Sequence, residues 1–469
     1  MKKLILILAL MGTCVEGIAQ DKSTLLTKSY QQSAFSLFNA VAKQEADNIC
    51  FSPLSVQLAL SMVQNGAAGN TLDQLQTALG TMGFTNEEIG SFNAQLTKKL
   101  CERPFDIDFI AEEAEGRGID PQELYEACFP CCELANSLWT RPDVQLYETF
   151  LEALRNDYDA GMDAVYFDTW EGIEKINGWI NEHTHGLIPM VFNEPQSEDL
   201  ALVLINTLYF KGGWRVQFSP ENTSQGQFQL DDGTYTKVDM MFARDRFDCA
   251  ITPTFQTITL YYGSEYDFSM TVFVPLEGTA LPPLTFDDWS AAQRPKYMHI
   301  NLYMPRFQIA QRRYELIDVL KSLGVKDAFS VNANFTRMCN TKRAIDQIYQ
   351  LSRIIVDEKG TEAAAATIIQ EADGMDFTRP EDYQDFKVDR PFYFTIQSRK
   401  TGAILFAGRV KHLDGPKGQV DAITSLPTET VNSKSINGQW YDLSGRRISV
   451  PSVLPKGVYI KDGKKVVVK

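Results

Sequence analysis

Histidine is scarce in this chain. There are four in 469 residues (His183, His185, His299 and His412), and none lies in a Gly-x-Ser-x-Gly, His-Glu-x-x-His or cysteine-protease signature. The usual routes to an exported hydrolase are therefore missing. Basic residues are also few, 45 against 60 acidic, for a formal net charge of −15. Such a field opposes nucleic acid, anionic membrane surfaces and heparin-like polyanions as partners. Beyond the first twenty residues no stretch reaches eighteen apolar residues, so nothing later reads as a transmembrane helix.

What is present fits an ordinary globular protein: 44% hydrophobic and 22% charged residues, enough to bury a sizeable core. The start, MKKLILILALMGTCVEGIAQ, has two lysines, an apolar run from Leu4 to Met11 and small residues at Gly17 and Ala19. That is the layout of a secretory signal peptide over residues 1–19, and it predicts a secreted or surface-exposed protein. A lipidated Cys14 ranks second, because Met11-Gly12-Thr13 departs from the residues that usually precede such a cysteine. Eight cysteines become seven once the signal is removed, an odd number that leaves at least one free thiol or an intermolecular bond. Cys101, Cys128, Cys131 and Cys132 fall in an acidic stretch, 101–132, where a local disulfide is expected in preference to zinc, since no histidine lies near to complete a ligand set. Cys50, in apolar surroundings, reads as a buried inert thiol. No metal and no cofactor are expected.

Apolar residues at Leu54, Leu58, Met62, Leu72, Leu75 and Leu79 recur at helical spacing and predict two helices split at Asn65-Gly66. Residues 169–184 predict another, with Ile173, Ile176, Trp179 and Ile180 on one face. Afterwards β-branched and aromatic runs of strand length take over, at 201–210, 268–274, 299–307, 353–358, 391–397 and 403–410. Helices lead and strands follow, the order of an α+β domain with helices packed on a large, mostly antiparallel sheet system. A Gly/Pro/Ser/Thr-rich linker, 413–434, separates this body from a final segment, 435–469, whose short strand runs and turn residues predict a small β appendage.

The stretch VDEKGTEAAAATIIQEADGMDF (356–377) is unlike its surroundings. If residues 361–370 enter a sheet as a strand, alternation puts Thr361, Ala363, Ala365, Thr367 and Ile369 on one face. That face has no charge and no proline, and it begins with small residues that slip easily between strands already packed on a core. An exposed helix is the competing possibility, since Glu-Ala-Ala-Ala-Ala is a good helix former.

Several other stretches decide between them. VDEKGTEAAAAT resembles the hinge of an inhibitory serpin reactive-centre loop. NICFSPLSVQLALSMVQNGAAGNTLDQL (48–75), ANSLW (135–139), INGWINEHTHGLI (176–188), LINTLYFKGGW (204–214), YMPRF (303–307) and DRPFYFTIQSRKTGAILFAGRV (389–410) resemble further serpin blocks in the same order. The resemblance covers residues 25–412, with the reactive-centre loop at 358–390, and implies the serpin fold. It also implies a monomeric suicide-substrate inhibitor whose cleaved loop inserts into the main sheet while the protease is held as an acyl-enzyme. A serpin without inhibitory action, serving as a secreted carrier, is the alternative, and the uncharged alternating hinge argues against it.

Site residues follow from the resemblance position by position. Glu358 and Gly360 correspond to the hinge glutamate and glycine. Ser52, Pro53, Ser55 and Asn206 correspond to the shutter beneath the sheet, and Trp214 to the tryptophan of the breach at its top. The family usually has a histidine eight residues before the hinge glutamate; here that position is Gln350. Glutamine donates and accepts as neutral imidazole does, so the polar network is expected to survive. His183 and His185 lie inside a serpin-like block and are expected at the surface.

The family's usual spacing places the scissile bond at Gly374-Met375, and shifts of one residue make Asp373 and Met375 bait candidates with more side chain for a pocket to hold. The corresponding targets are elastase-, chymotrypsin- or subtilisin-like endopeptidases, Asp-specific enzymes, or a cysteine protease. Arg379 precedes Pro380, which disfavours trypsin-like cleavage. Finally, YDLSGRRI and LPKGVYIKDGKKVVVK resemble the C-terminal sorting domain of the bacterial type 9 secretion route.

Overall fold

In this computed structural model the described residues are 2–103, 105–362 and 383–413, with four short strands beyond; side chains are described from residue 22 to 413 within those bounds. The chain divides into two compact units, Met1–Leu413 and Asp414–Lys469. The first opens with α1 (Lys2–Gln44), β1 (Ile49–Phe51), α2 (Pro53–Gly66), α3 (Gly69–Leu79) and α4 (Asn86–Cys101). Then come α5 (Asp108–Arg117), α6 (Pro121–Cys128), β2 (Cys131–Thr140), α7 (Glu148–Tyr158), β3 (Gly161–Ala164), α8 (Trp170–His183) and β4 (Leu202–Gly213).

Strands dominate the remainder. They are β5 (Ser224–Gln229), β6 (Tyr235–Ile251), β7 (Phe255–Tyr261) and β8 (Phe268–Pro275), followed by α9 (Phe286–Ala292), β9 (Lys296–Pro305) and β10 (Phe307–Glu315). After α10 (Ile317–Ser322) come β11 (Gln347–Val356), β12 (Gly360–Thr361), β13 (Gln384–Lys387), β14 (Phe392–Ser398) and β15 (Ile404–Val410). The second unit contains β16 (Thr428–Val431), β17 (Trp440–Tyr441), β18 (Gly457–Lys461) and β19 (Lys464–Val468), joined in the order β16-β19-β18-β17.

Local chemistry explains the helices that matter for the site. Ser52 caps α2 by accepting from the Ser55 amide, and Pro53 takes the first turn, where its missing N–H costs nothing. Almost every residue of α2 is buried, the mark of a helix running through a core. On α8, Ile173, Ile176 and Ile180 are buried together with Val203, Ile205, Tyr349 and Leu351. This helix therefore lies over both β4 and β11.

Nine strands form one sheet, in the order β1-β15-β14-β8-β7-β6-β9-β13 with β5 beside β6; six form another, β10-β11-β12-β4-β2-β3. Among the described residues of this unit, parallel pairing is confined to β2–β3, β13–β9 and β11–β4. The large core lies between the sheets: Leu204, Leu208 and Phe210 of β4 face it, together with Leu58 and Met62 of α2.

Three expectations are corrected. The run 299–307 is two strands in different sheets, broken at Arg306, not one. The strand expected at 353–358 begins at Gln347 and ends at Val356; its polar residues Gln347, Gln350 and Ser352 hide its start, and a turn at Asp357 ends it. Residues 101–132 hold no disulfide. All seven cysteines from Cys50 onward are free, and Cys131 and Cys132 face opposite sides of β2, one under α8 and one in the large core. Instead the stretch folds as α5 and α6 around its own cluster of Ile110, Ala114, Leu124, Tyr125, Ala127 and Phe129.

Candidate functional site

The centre of the six-stranded sheet is a seam. Val203–Thr207 of β4 pair directly and in parallel with Gln347–Leu351 of β11. Above that stretch the chain itself comes between them. At the end of β11 the Asp357 amide donates to the Gly360 carbonyl (3.0 Å), and the Asp357 carboxylate accepts from the amides of Lys359 (2.9 Å) and Gly360 (3.3 Å). This tight turn sends Gly360–Thr361 back down as β12, antiparallel to both neighbours: Thr361 stands opposite Val356 on one side and Gly212 on the other. Two parallel strands separated by one strand's width present unpaired edges that a single antiparallel strand satisfies on both sides.

The turn is anchored at the top of the sheet. Trp214, fully buried, donates from its indole to the Asp357 carbonyl (2.8 Å), and its amide donates to the Lys359 carbonyl (2.7 Å). It stacks on Tyr262 with ring centres 4.4 Å apart. The Tyr262 hydroxyl in turn bonds the Thr361 hydroxyl at 2.6 Å, which fixes Thr361 on the core face. Glu358 is 5% exposed, and its carboxylate accepts from Thr223 Oγ1 (2.7 Å) and from the Arg306 guanidinium. Burial opposes its charge, but these two donors outweigh burial and hold its pKa below the ordinary 4.5.

The residues beneath the sheet meet where α2 passes behind β4 and β11. Asn206 and Gln350 stand opposite each other across the seam, both fully buried. Asn206 donates to Asn136 Oδ1 (3.2 Å) on β2, whereas Gln350 donates to the Leu351 carbonyl (2.8 Å) and not across the seam. Gln350 Oε1, Asn206 Oδ1 and Ser55 Oγ have no hydrogen-bond partner among the described residues. The expectation of an intact network is corrected accordingly: the glutamine amide turns to its own strand, and the side-chain bond linking β11 to β4 is not made. Ser52 is occupied in capping α2.

Among the remaining predicted residues, Ala363, Ala365, Thr367, Asp373, Gly374 and Met375 lie outside the described residues. His183 stacks on Trp179 (4.1 Å), while His185 is exposed and pairs with Glu133 (2.8 Å). Sequence reasoning missed Arg306, Thr223 and Tyr262, whose contacts with the hinge are made by residues 52, 135 and 99 positions away. It also missed Glu362, a half-buried carboxyl at the point where β12 ends, its Oε2 without a partner among the described residues.

A family model described as serpin (serine protease inhibitor) matches residues 28–413. The chain belongs to the serpin family. This serpin is 30% identical to neuroserpin of Gallus gallus over 390 residues, covering 79% of this chain and 87% of that one. It is 28% identical to human serpin B4 over 409 residues, covering 82% and 98%. Among solved structures it is similar in fold to mouse protein Z-dependent protease inhibitor (TM-score 0.69, 21% identity, 84% of this chain and 98% of that one). Human thyroxine-binding globulin with thyroxine is similar to the same degree (TM-score 0.68, 20% identity, 84% and 99%). The serpin fold, helices on large mixed sheets, is what the element order and sheet topology describe.

Proposed function

We propose that this serpin is an irreversible suicide-substrate inhibitor of serine, or alternatively cysteine, endopeptidases. The observation that carries this reading is the hinge: Gly360–Thr361 already stands as an antiparallel strand between β4 and β11, above a stretch where those two strands pair directly. If the strand continued in that register, residue 363 would stand opposite Phe210, 365 opposite Leu208 and 367 opposite both Asn206 and Gln350. In that register the small core-side residues Ala363 and Ala365 would meet the bulky ones of β4, and the Thr367 hydroxyl would come beside two acceptors, Asn206 Oδ1 and Gln350 Oε1, that lack a partner among the described residues. An inserted strand making on the order of ten backbone bonds gains several kcal/mol at about 0.5 to 1.5 kcal/mol each.

The chemistry is the protease's own. Its nucleophile attacks the bait carbonyl, the peptide bond breaks with the new amine leaving on the C-terminal side, and the N-terminal arm stays joined to the enzyme as an ester or thioester. Insertion of that arm then carries the tethered protease to the far pole of the sheet before the acyl bond is hydrolysed. We further propose export, from the signal-like residues 1–19, with the sorting-like segment 435–469 directing passage by a type 9 route.

A carrier role is the second reading. The observation behind it is an open, mostly polar recess of about 480 Å³, lined by Lys28, Lys99 and Lys400 together with Phe286 and Trp289. Incubation with elastase-, chymotrypsin-, subtilisin-, papain- and caspase-like enzymes separates the two. An SDS-resistant adduct is expected, and sequencing the released fragment identifies the bond after Asp373, Gly374 or Met375. Clean cleavage without adduct overturns inhibition and favours the carrier.

A further inference from the structure

Lys211 stands between two carboxylates that belong to different parts of the molecule. It lies on the α8 side of β4, and its ammonium is 2.6 Å from Glu126 Oε2 of α6. That contact is part of a wider docking of the helical insertion: a Cβ on Gly213 would come within 3.2 Å of the Ala127 carbonyl oxygen, a tight approach that the glycine relieves. The second carboxylate is Glu362. Because Thr361 pairs with Gly212 and Val356, the next position down the seam lies against Lys211 and Ile355, and the Glu362 amide does donate to the Ile355 carbonyl (3.1 Å). The side chain has no such match. Residue 362 has φ of 49°, the left-handed region that disfavours any residue but glycine, and its buried Oε2 has no partner among the described residues.

Among the described residues, the other charged and titratable groups around Glu362 are Arg353 of β11, His185 after α8 and Tyr209 of β4. His185 is engaged by Glu133 of β2. Burial dominates over these cations and raises the Glu362 carboxyl to about 7. The strand has stopped one residue short of an ion pair whose cation is held elsewhere.

We propose that Lys211 is a switched cation: Glu126 of the insertion holds it while the loop is out, and it passes to Glu362 when the strand advances, so that α6 sets the barrier to loop entry. The proposal rests on the inhibitory reading above, because it concerns the rate of the insertion that reading requires. Removing Glu126 frees Lys211 to draw residue 362 out of its left-handed turn and into register.

The test is conversion of intact protein, on mild heating at pH 8, to a heat-stable form that no longer makes adducts. Glu126→Gln is expected to accelerate conversion by roughly twofold to fivefold, the upper part of the range for a surface ion pair. The acceleration should vanish in the Glu126→Gln/Glu362→Gln and Glu126→Gln/Lys211→Met backgrounds. An inert Glu126→Gln, or equal acceleration in all three backgrounds, overturns the switch. Wild-type controls separate the claims: loop-cleaved wild type that melts no higher refutes insertion and the switch together, whereas stabilised wild type with an inert Glu126→Gln refutes the switch alone.

Discussion

Glu358 and Glu362 are four residues apart and are held in opposite ways. Arg306 and Thr223 keep Glu358 below its ordinary 4.5 despite burial. A carboxyl so depressed adds stability above 4.5 that is lost as pH falls through its folded value. Glu358→Gln should therefore lower stability at pH 7 by about 1 kcal/mol, since Arg306 remains half in solvent, and should flatten the acid limb of a melting-temperature profile. Glu362, raised to about 7 by burial, contributes with the other sign: its share is complete below 4.5 and lost as pH rises through about 7. Glu362→Gln should raise the melting temperature of intact protein at pH 8 and leave it nearly unchanged at pH 4; a fall at pH 8 would contradict this. Glu358 was legible because it sits in a motif, and Trp214 likewise. Arg306, Tyr262 and the burial of Glu362 were not, because each depends on a partner brought close only by the sheet.

At the scale of elements, alternation in the alanine string is the strongest signal in the chain, and the register of β12 gives it a geometry. Residue 365 is expected opposite Leu208, on a face closed by the large core. Ala365→Arg should thus abolish adduct formation while leaving cleavage intact, because a guanidinium cannot be buried there unpaired; an adduct yield equal to wild type would remove the insertion register. At the seam, Gln350 makes one bond, to the Leu351 carbonyl, so Gln350→Met should cost about 1 kcal/mol or less. A loss of several would mean that it joins β11 to β4 after all. The glutamine's new orientation was not legible, since a side chain able to replace imidazole is also able to turn to its own backbone. Nor was the start of β11, whose polar residues at 347, 350 and 352 break the apolar run that marks a buried strand. Residues 101–132 misled for another reason: cysteine proximity in sequence suggested a bridge, but adjacent strand residues point apart.

On the scale of the whole molecule, two sheets share one core and the helices close it, and no disulfide contributes among the described residues. Titration of the unfolded protein without reductant should return no fewer than seven thiols; a lower number would restore the bridge. The arrangement of helices before strands, and the serpin fold itself, were legible from period and motif. The arrangement at the centre of the sheet was only implied: β4 and β11 pair directly below β12, which stands between them, and the proposed inhibition turns on whether the strand can go further. The most direct measurement is the melting temperature of protein nicked once in the reactive-centre loop and freed of protease, compared with intact protein. Insertion worth several kcal/mol predicts that the nicked form melts higher by roughly 5 °C or more; a nicked form that melts at or below the intact one would contradict the account.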